Sequence, residues 1–152
     1  MSLKYESPEF SEELKKRTNA NSAYREKAKG MSWKILTIVK DIPFAVYSSY
    51  ADGELVERSH IPASQVEECR KKADFTIEVP TYDLSIEMAT GKKSLESLFM
   101  GRMIKLEGSI FKALQYRGAL EAFGKITAEL ANASVIPSKE EFMAMLKERG
   151  LL

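Results

Sequence analysis

Few side chains in this sequence combine the types and spacing that chemistry requires. Asp83 and Glu87 stand four residues apart after Thr81, so on a helix both carboxylates project from one face, where such a pair can give and take a proton. The simpler reading is an acidic helix start that complements the backbone dipole. The single histidine, His60, excludes any site that needs two. Its alternation with Val56 and Arg58 along a strand reads as a surface or edge residue rather than a base. Cys69, the only cysteine, sits between Glu68 and Arg70 with no histidine nearby in sequence, and reads as incidental rather than nucleophilic. One cysteine also excludes a disulfide framework and zinc held by a cysteine cluster. Gly91-Lys92-Lys93 lacks the upstream glycine and the following Ser or Thr of a phosphate loop. It is more simply a helix stop with cations matched to the dipole. There is no Gly-x-Ser-x-Gly elbow and no His-Glu-x-x-His. Neither a cofactor nor a metal is expected, and the domain itself is expected not to be an enzyme.

The elements around these residues are legible from periodicity. Ser7 before Pro8 is an N-cap and first-turn pair, and Phe10, Leu14, Asn21, Tyr24 and Ala28 recur at helical spacing until Gly30. Three strands follow, near Ser32 to Lys40, Phe44 to Ala51 and Glu54 to Ile61, the last two joined by the tight-turn pair Asp52-Gly53. Trp33, Ile35, Val39, Phe44, Val46 and Leu55 are available for one face. Leu36, Ile38 and Tyr47 stand in the opposite alternation, so part of the second face is covered. Ser64 to Lys72 is a short polar helical turn. Phe75, Ile77 and Val79 alternate with Thr76 and Glu78, and Ile104 and Leu106 with Lys105 and Glu107, which predicts two further strands, each wet on one face.

Between those two strands the helix after Thr81 carries two apolar stripes, Tyr82, Ile86 and Ala89 in one and Leu84 and Met88 in the other. That is a wider apolar arc than a single packing face needs. After Gly108 a further apolar helix runs through Ile110, Phe111, Leu114, Leu120, Phe123, Ile126 and Leu130, with an interruption near Gly118. Ser138 and Glu141 then form a capping box for a last helix bearing Phe142, Met145 and Leu146 before Gly150. The surplus apolar surface, with five methionines from Met88 onward, suits either an ordinary core or an adaptable greasy pocket.

At 152 residues the chain is read as one domain, with an N-terminal helix over 1–31, a core over 32–132 and a C-terminal amphipathic helix over 133–152. A net charge of +1, with basic and acidic residues interleaved, argues against nucleic acid as a partner. No run approaches the roughly 18 apolar residues of a membrane span. Met1 to Lys16 is too polar for a signal peptide, so a cytoplasmic protein without an integral membrane segment is expected.

From Trp33 to Leu130 the order of strand, helix, Gly91-Lys92, short helix, Phe99-Met100-Gly101 and a strand closing at Gly108 resembles the sterol carrier protein 2 family of lipid-binding domains. The stretch FMGRMIKLEGSIFKAL carries most of the likeness. Gly101-Arg102 falls one place early, Ser109 replaces the family's usual Asp or Asn, and Leu95 stands where a Pro is frequent. The resemblance implies an α+β fold, a five-stranded, mainly antiparallel sheet with helices packed on one face around an apolar tunnel. It implies non-catalytic binding or transfer of a fatty acid, fatty acyl-CoA, isoprenoid or sterol-like ligand. Burying a sixteen-carbon chain is worth up to about 13 kcal/mol before binding costs. A dry pocket of roughly 300 to 500 Å³ would cost about 7 to 12 kcal/mol, so an empty protein collapses, hydrates or keeps lipid.

The tunnel is expected to be lined by Ile86, Met88, Leu98, Phe99, Met103, Ile104, Phe111, Leu114, Leu120 and Phe123. Two rivals stay open. One is a small α+β enzyme with Asp83 or Glu87 carrying protons beside an apolar substrate. The other is an interaction module whose Phe142, Met145, Leu146, Leu151 and Leu152 face docks on a partner or on a second copy as a homodimer. Transient membrane contact is compatible with the carrier reading.

Overall fold

The computed structural model describes residues 3–152. Helix α1 (Pro8–Ala20) starts as the residue types require, with the Ser7 hydroxyl accepting from the Phe10 N–H at 3.2 Å and Pro8 in the first turn. It does not run on to Gly30. Asn21 takes extended backbone and its side chain accepts from the Tyr24 N–H at 2.9 Å, opening a separate helix α2 (Ser22–Lys27). A short amide competes with the helix for backbone groups, and periodicity alone does not register that competition.

Five strands form one sheet in the order β3-β2-β1-β4-β5. They are β1 (Trp33–Val39), β2 (Phe44–Ala51), β3 (Glu54–Ile61), β4 (Phe75–Val79) and β5 (Lys105–Gly108). The first three make an antiparallel meander, turned between β2 and β3 by Asp52 and Gly53 at φ 48° and 83°. The chain then crosses over through a turn of 3₁₀ helix (Ala63–Gln65) and helix α3 (Val66–Lys72), so β4 pairs parallel to β1 and β5 closes antiparallel on β4. The ladder between β2 and β3 has one irregularity. Ser49 faces Glu57 while Tyr50 faces Leu55, leaving Val56 as an extra, bulged residue on β3.

The other helices are α4 (Tyr82–Ala89), α5 (Leu95–Met100), α6 (Ile110–Gln115), α7 (Arg117–Asn132) and α8 (Lys139–Glu148). The break expected near Gly118 falls at Tyr116, whose ring packs on Trp33 at 6.0 Å. Together with α1 and α2 these helices share one core with Trp33, Ile35, Val39, Phe44, Val46 and Leu55 on the sheet. Helix α8 has its capping box, and its apolar stripe is used within the chain. Phe142 and Leu146 are fully buried, with Phe142 edge-on to Phe44 at 4.9 Å.

The opposite sheet face carries Leu36, Ile38 and Ala45, covered by α3 through Val66 and Cys69. This cover corrects the expectation of a wet face on β4, where all five residues are buried, Thr76 and Glu78 included. Arg70 of α3 makes the burial of Glu78 tolerable, donating to Glu78 at 2.8 Å and to Glu107 of β5 at 3.0 Å. A charge-assisted bond of this kind replaces the water the carboxylate gives up.

Candidate functional site

Two adjoining cavities lie between the sheet and the helices. The inner one, about 180 Å³, is floored by Ile35, Thr37, Val39, Phe44, Val46 and Ile77 and roofed by Met88, Phe123, Thr127 and Phe142. The outer one, about 710 Å³, is framed by the α4–α5 loop, α5, α6 and α7, with Phe75, Leu106, Ile110, Ala113 and Leu114 on its walls. Met88, Leu95, Leu120 and Gly124 line both. These residues form the partition between the two spaces.

Of the ten residues expected on the tunnel, Met88, Phe99, Leu114, Leu120 and Phe123 line one cavity or both. Leu98 and Ile104 are buried in the core, and Ile86 is half-buried against it. Met103 and Phe111 are exposed and lie outside either lining. Neither Asp83 nor Glu87 faces a cavity, and Glu87 pairs with Lys93 at 3.2 Å. Among the described residues no three His, Cys, Asp or Glu side chains are gathered to hold a metal ion. Among the described residues no helix is long and apolar enough to cross a membrane.

The polar end of the inner cavity was not anticipated. It is built by Tyr5, Glu6, Ser48, Tyr50, Arg58 and Tyr82. Arg58 reaches Glu6 as a fork, Nη1 to Oε1 at 2.6 Å and Nη2 to Oε2 at 2.9 Å, and Nη1 also donates to Ser11 Oγ at 2.7 Å. His60 Nε2 stands 3.4 Å from Glu6 Oε1; it lies on β3 at the edge of the sheet, as expected, but its side chain is only 3% exposed, which corrects the alternative of a surface histidine. The cause is the bulge at Val56. One extra residue reverses the alternation, so Arg58 and His60 join Leu55 on the core face, and it is Val56 that points outward. The preference for bidentate pairing explains an arginine rather than a lysine here.

Glu6 is held against steric preference, at φ 59°, by its surroundings. The Tyr5 N–H donates to Val135 O at 2.9 Å, and Arg149 Nη1 donates to Glu6 O at 3.3 Å, so both ends of the chain meet around it. Burial alone would raise its pKa. The neighbouring Arg58 charge, with bonds from His60 and Arg58, outweighs burial and pulls it from 4.5 down to about 2. Glu6 is therefore a carboxylate and Arg58 a guanidinium throughout the ordinary pH range. Burial also pushes the phenols of Tyr5, Tyr50 and Tyr82 well up, so all three are neutral donors. Tyr82 spends its hydroxyl on Pro137 O at 2.7 Å.

This arrangement can hold an elongated, mostly apolar molecule with at most a few polar atoms. Ser11 Oγ stands 3.5 Å from His60 Nε2, which is 3.4 Å from Glu6 Oε1, but neither Ser11 nor His60 lines either cavity.

The fold recurs in solved structures. It superposes on a crystal structure of sterol carrier protein 2 with a TM-score of 0.69 at 21% identity, over 81% of this chain and 96% of that one. The solution structure of a conserved hypothetical protein from Thermus thermophilus matches with a TM-score of 0.67 at 19% identity, over 87% and 91%. A variant of a sec-alkyl sulfatase matches with a TM-score of 0.52 at 20% identity, over 74% of this chain but only 16% of the enzyme. Among curated proteins none matches the sequence. The model of the SCP-2 sterol transfer family matches residues 12–121, and the chain belongs to that family.

Proposed function

We propose that this protein binds a single-chain or polycyclic lipid along the two cavities and carries it between sites without chemical change. The observation that supports this most directly is the partition. Two apolar spaces, one inner and one outer, share Met88, Leu95, Leu120 and the bare backbone of Gly124 as a common wall. Met88 is the adaptable member, with an unbranched thioether that can vacate the gap by rotamer change. Gly124 is the informative one. It lies inside the sixteen-residue helix α7, where glycine costs about 0.5 to 1 kcal/mol relative to alanine. A Cβ added there would meet nothing within 4 Å. No packing or backbone geometry requires glycine at this position, whereas an open passage does benefit from it.

The apolar walls support a broad ligand class. Fatty acid, fatty acyl-CoA, isoprenoid and sterol-like molecules all offer the required apolar length, and the outer space lies within the usual range for small-ligand sites. The test is Gly124→Leu. The variant should fold at least as stably as the parent, by up to about 1 kcal/mol in thermal unfolding, while lipid recovered by solvent extraction and mass spectrometry falls away and a fluorescent fatty-acid probe no longer saturates. Unchanged lipid content and probe affinity in a folded Gly124→Leu protein would overturn the two-cavity reading.

A further inference from the structure

The inner cavity ends in hydrogen-bonding capacity that the protein does not use. Arg58 spends Nη1 on Glu6 and Ser11 and one Nη2 hydrogen on Glu6, and none of these bonds uses Nε. The Tyr5 hydroxyl has no partner among the described residues, although the residue is 7% exposed and its ring is wedged between Phe10 and Phe142. It is not among the polar atoms sealed off by protein, and Tyr5 lines the cavity. A buried donor left unbonded costs free energy, and such an atom facing a cavity is where a ligand acceptor gains most.

We infer that the Tyr5–Arg58 end of the inner cavity is a polar subsite that seats a neutral oxygen, an alcohol, ketone or ester group on the leading end of an otherwise apolar ligand. The charges already present favour a neutral oxygen. Glu6 already pairs Arg58 through two bonds, so no unpartnered cation is left there to receive a ligand carboxylate, which would enter as a second buried anion beside Glu6. A saturated alkyl end would leave both donors unpaired. The oxygen accepts from the Tyr5 hydroxyl and from Arg58 Nε, and the remaining chain passes the Gly124 partition into the outer cavity. This assignment rests on the lipid-binding reading above and adds to it which end of the ligand goes in first.

Matched ligands separate the two ideas. Dodecan-1-ol, dodecanoate and dodecane compete at neutral pH for the protein against 1-anilinonaphthalene-8-sulfonate. The subsite predicts that dodecan-1-ol displaces the probe at roughly tenfold lower concentration than either of the others, the worth of one well-made buried hydrogen bond. Tyr5→Phe deletes only the hydroxyl and should bring dodecan-1-ol several-fold closer to dodecane while leaving dodecane unchanged. The paired variant Glu6→Gln with Arg58→Met, which strands no charge, should abolish the remaining preference. Equal displacement by alcohol and alkane in the parent protein, or tighter binding of dodecanoate, overturns the subsite but leaves the carrier reading standing. No displacement by any of the three overturns the carrier reading itself.

Discussion

The two ends of the paired cavities are built on opposite principles. At the inner end, Glu6, Ser11, Arg58 and His60 form a hydrogen-bonded cluster around one ion pair, in which the arginine and glutamate side chains are 10% and 4% exposed. At the outer end Phe111 is 80% exposed and Leu114 65%, with Phe99, Met100 and Met103 also showing to solvent. The inner end ties β3 to the N-terminal segment and, through Arg149, to the C-terminal helix. The outer end rests on short helices, α5 and α6, of six residues each. Helices that short are marginal without packing. One end is specified by pairwise bonds of fixed geometry, the other by adaptable apolar contact, so the same substitution strategy should give very different results at the two.

The largest difference should come from Arg58→Ala. It leaves Glu6 as an unpaired buried carboxylate, and breaking such a pair typically costs about 3 to 5 kcal/mol. Urea unfolding should show a loss of that order, and a much smaller loss for Glu6→Gln with Arg58→Met, where neither charge remains. Equal losses in the two variants would mean that the cluster contributes by packing and not by charge.

Acid should act on the inner end in the same direction. The Glu6 pKa is lowered from 4.5 to about 2, so the unfolded chain takes up this proton before the folded one does. The stabilisation is fully present above the unfolded value and is lost as pH falls from about 4.5 through about 2, on the order of 3 kcal/mol in all. Glu6→Gln should flatten that part of the stability profile. A profile between those limits that is indifferent to Glu6→Gln would show that other carboxylates carry the acid response.

The strands, the caps at Ser7 and Ser138, the Asp52-Gly53 turn and the apolar helices were legible in the sequence because each depends on neighbours within a few residues. The inner site was not, for two physical reasons. The bulge at Val56 is a property of how β3 meets β2, and without it strict alternation puts Arg58 and His60 on the wrong face. The partner that makes Arg58 tolerable, Glu6, lies 52 residues away in the chain. Lining residues fared better where a helix has one inward face, as with Met88, Leu120 and Phe123, than in the α5–β5 connection. There Gly101 closes α5 at φ −80° and it is Arg102 that adopts the left-handed φ of 58°. Met103, next in the chain, is 46% exposed and stands off both cavity walls.

The smallest effect should be at the outer rim. Phe111→Ser removes a side chain that is mostly in water already, so urea unfolding should move by no more than about 0.5 kcal/mol. The basic residues near it in sequence are engaged within the chain: Lys112 donates to Ser32 O at 3.1 Å and lies over the Trp33 ring, and Arg117 pairs with Glu96 at 3.0 Å. On the lipid-binding reading proposed above, the exposed Phe111 ring is the part of the rim that would first meet a lipid surface. Uptake of a pyrene-labelled fatty acid from phosphatidylglycerol vesicles should therefore slow several-fold in Phe111→Ser, while the affinity for the same fatty acid free in solution stays as it was. Loss of affinity in solution would instead place Phe111 on the ligand, as part of a wall that closes when the outer cavity is filled.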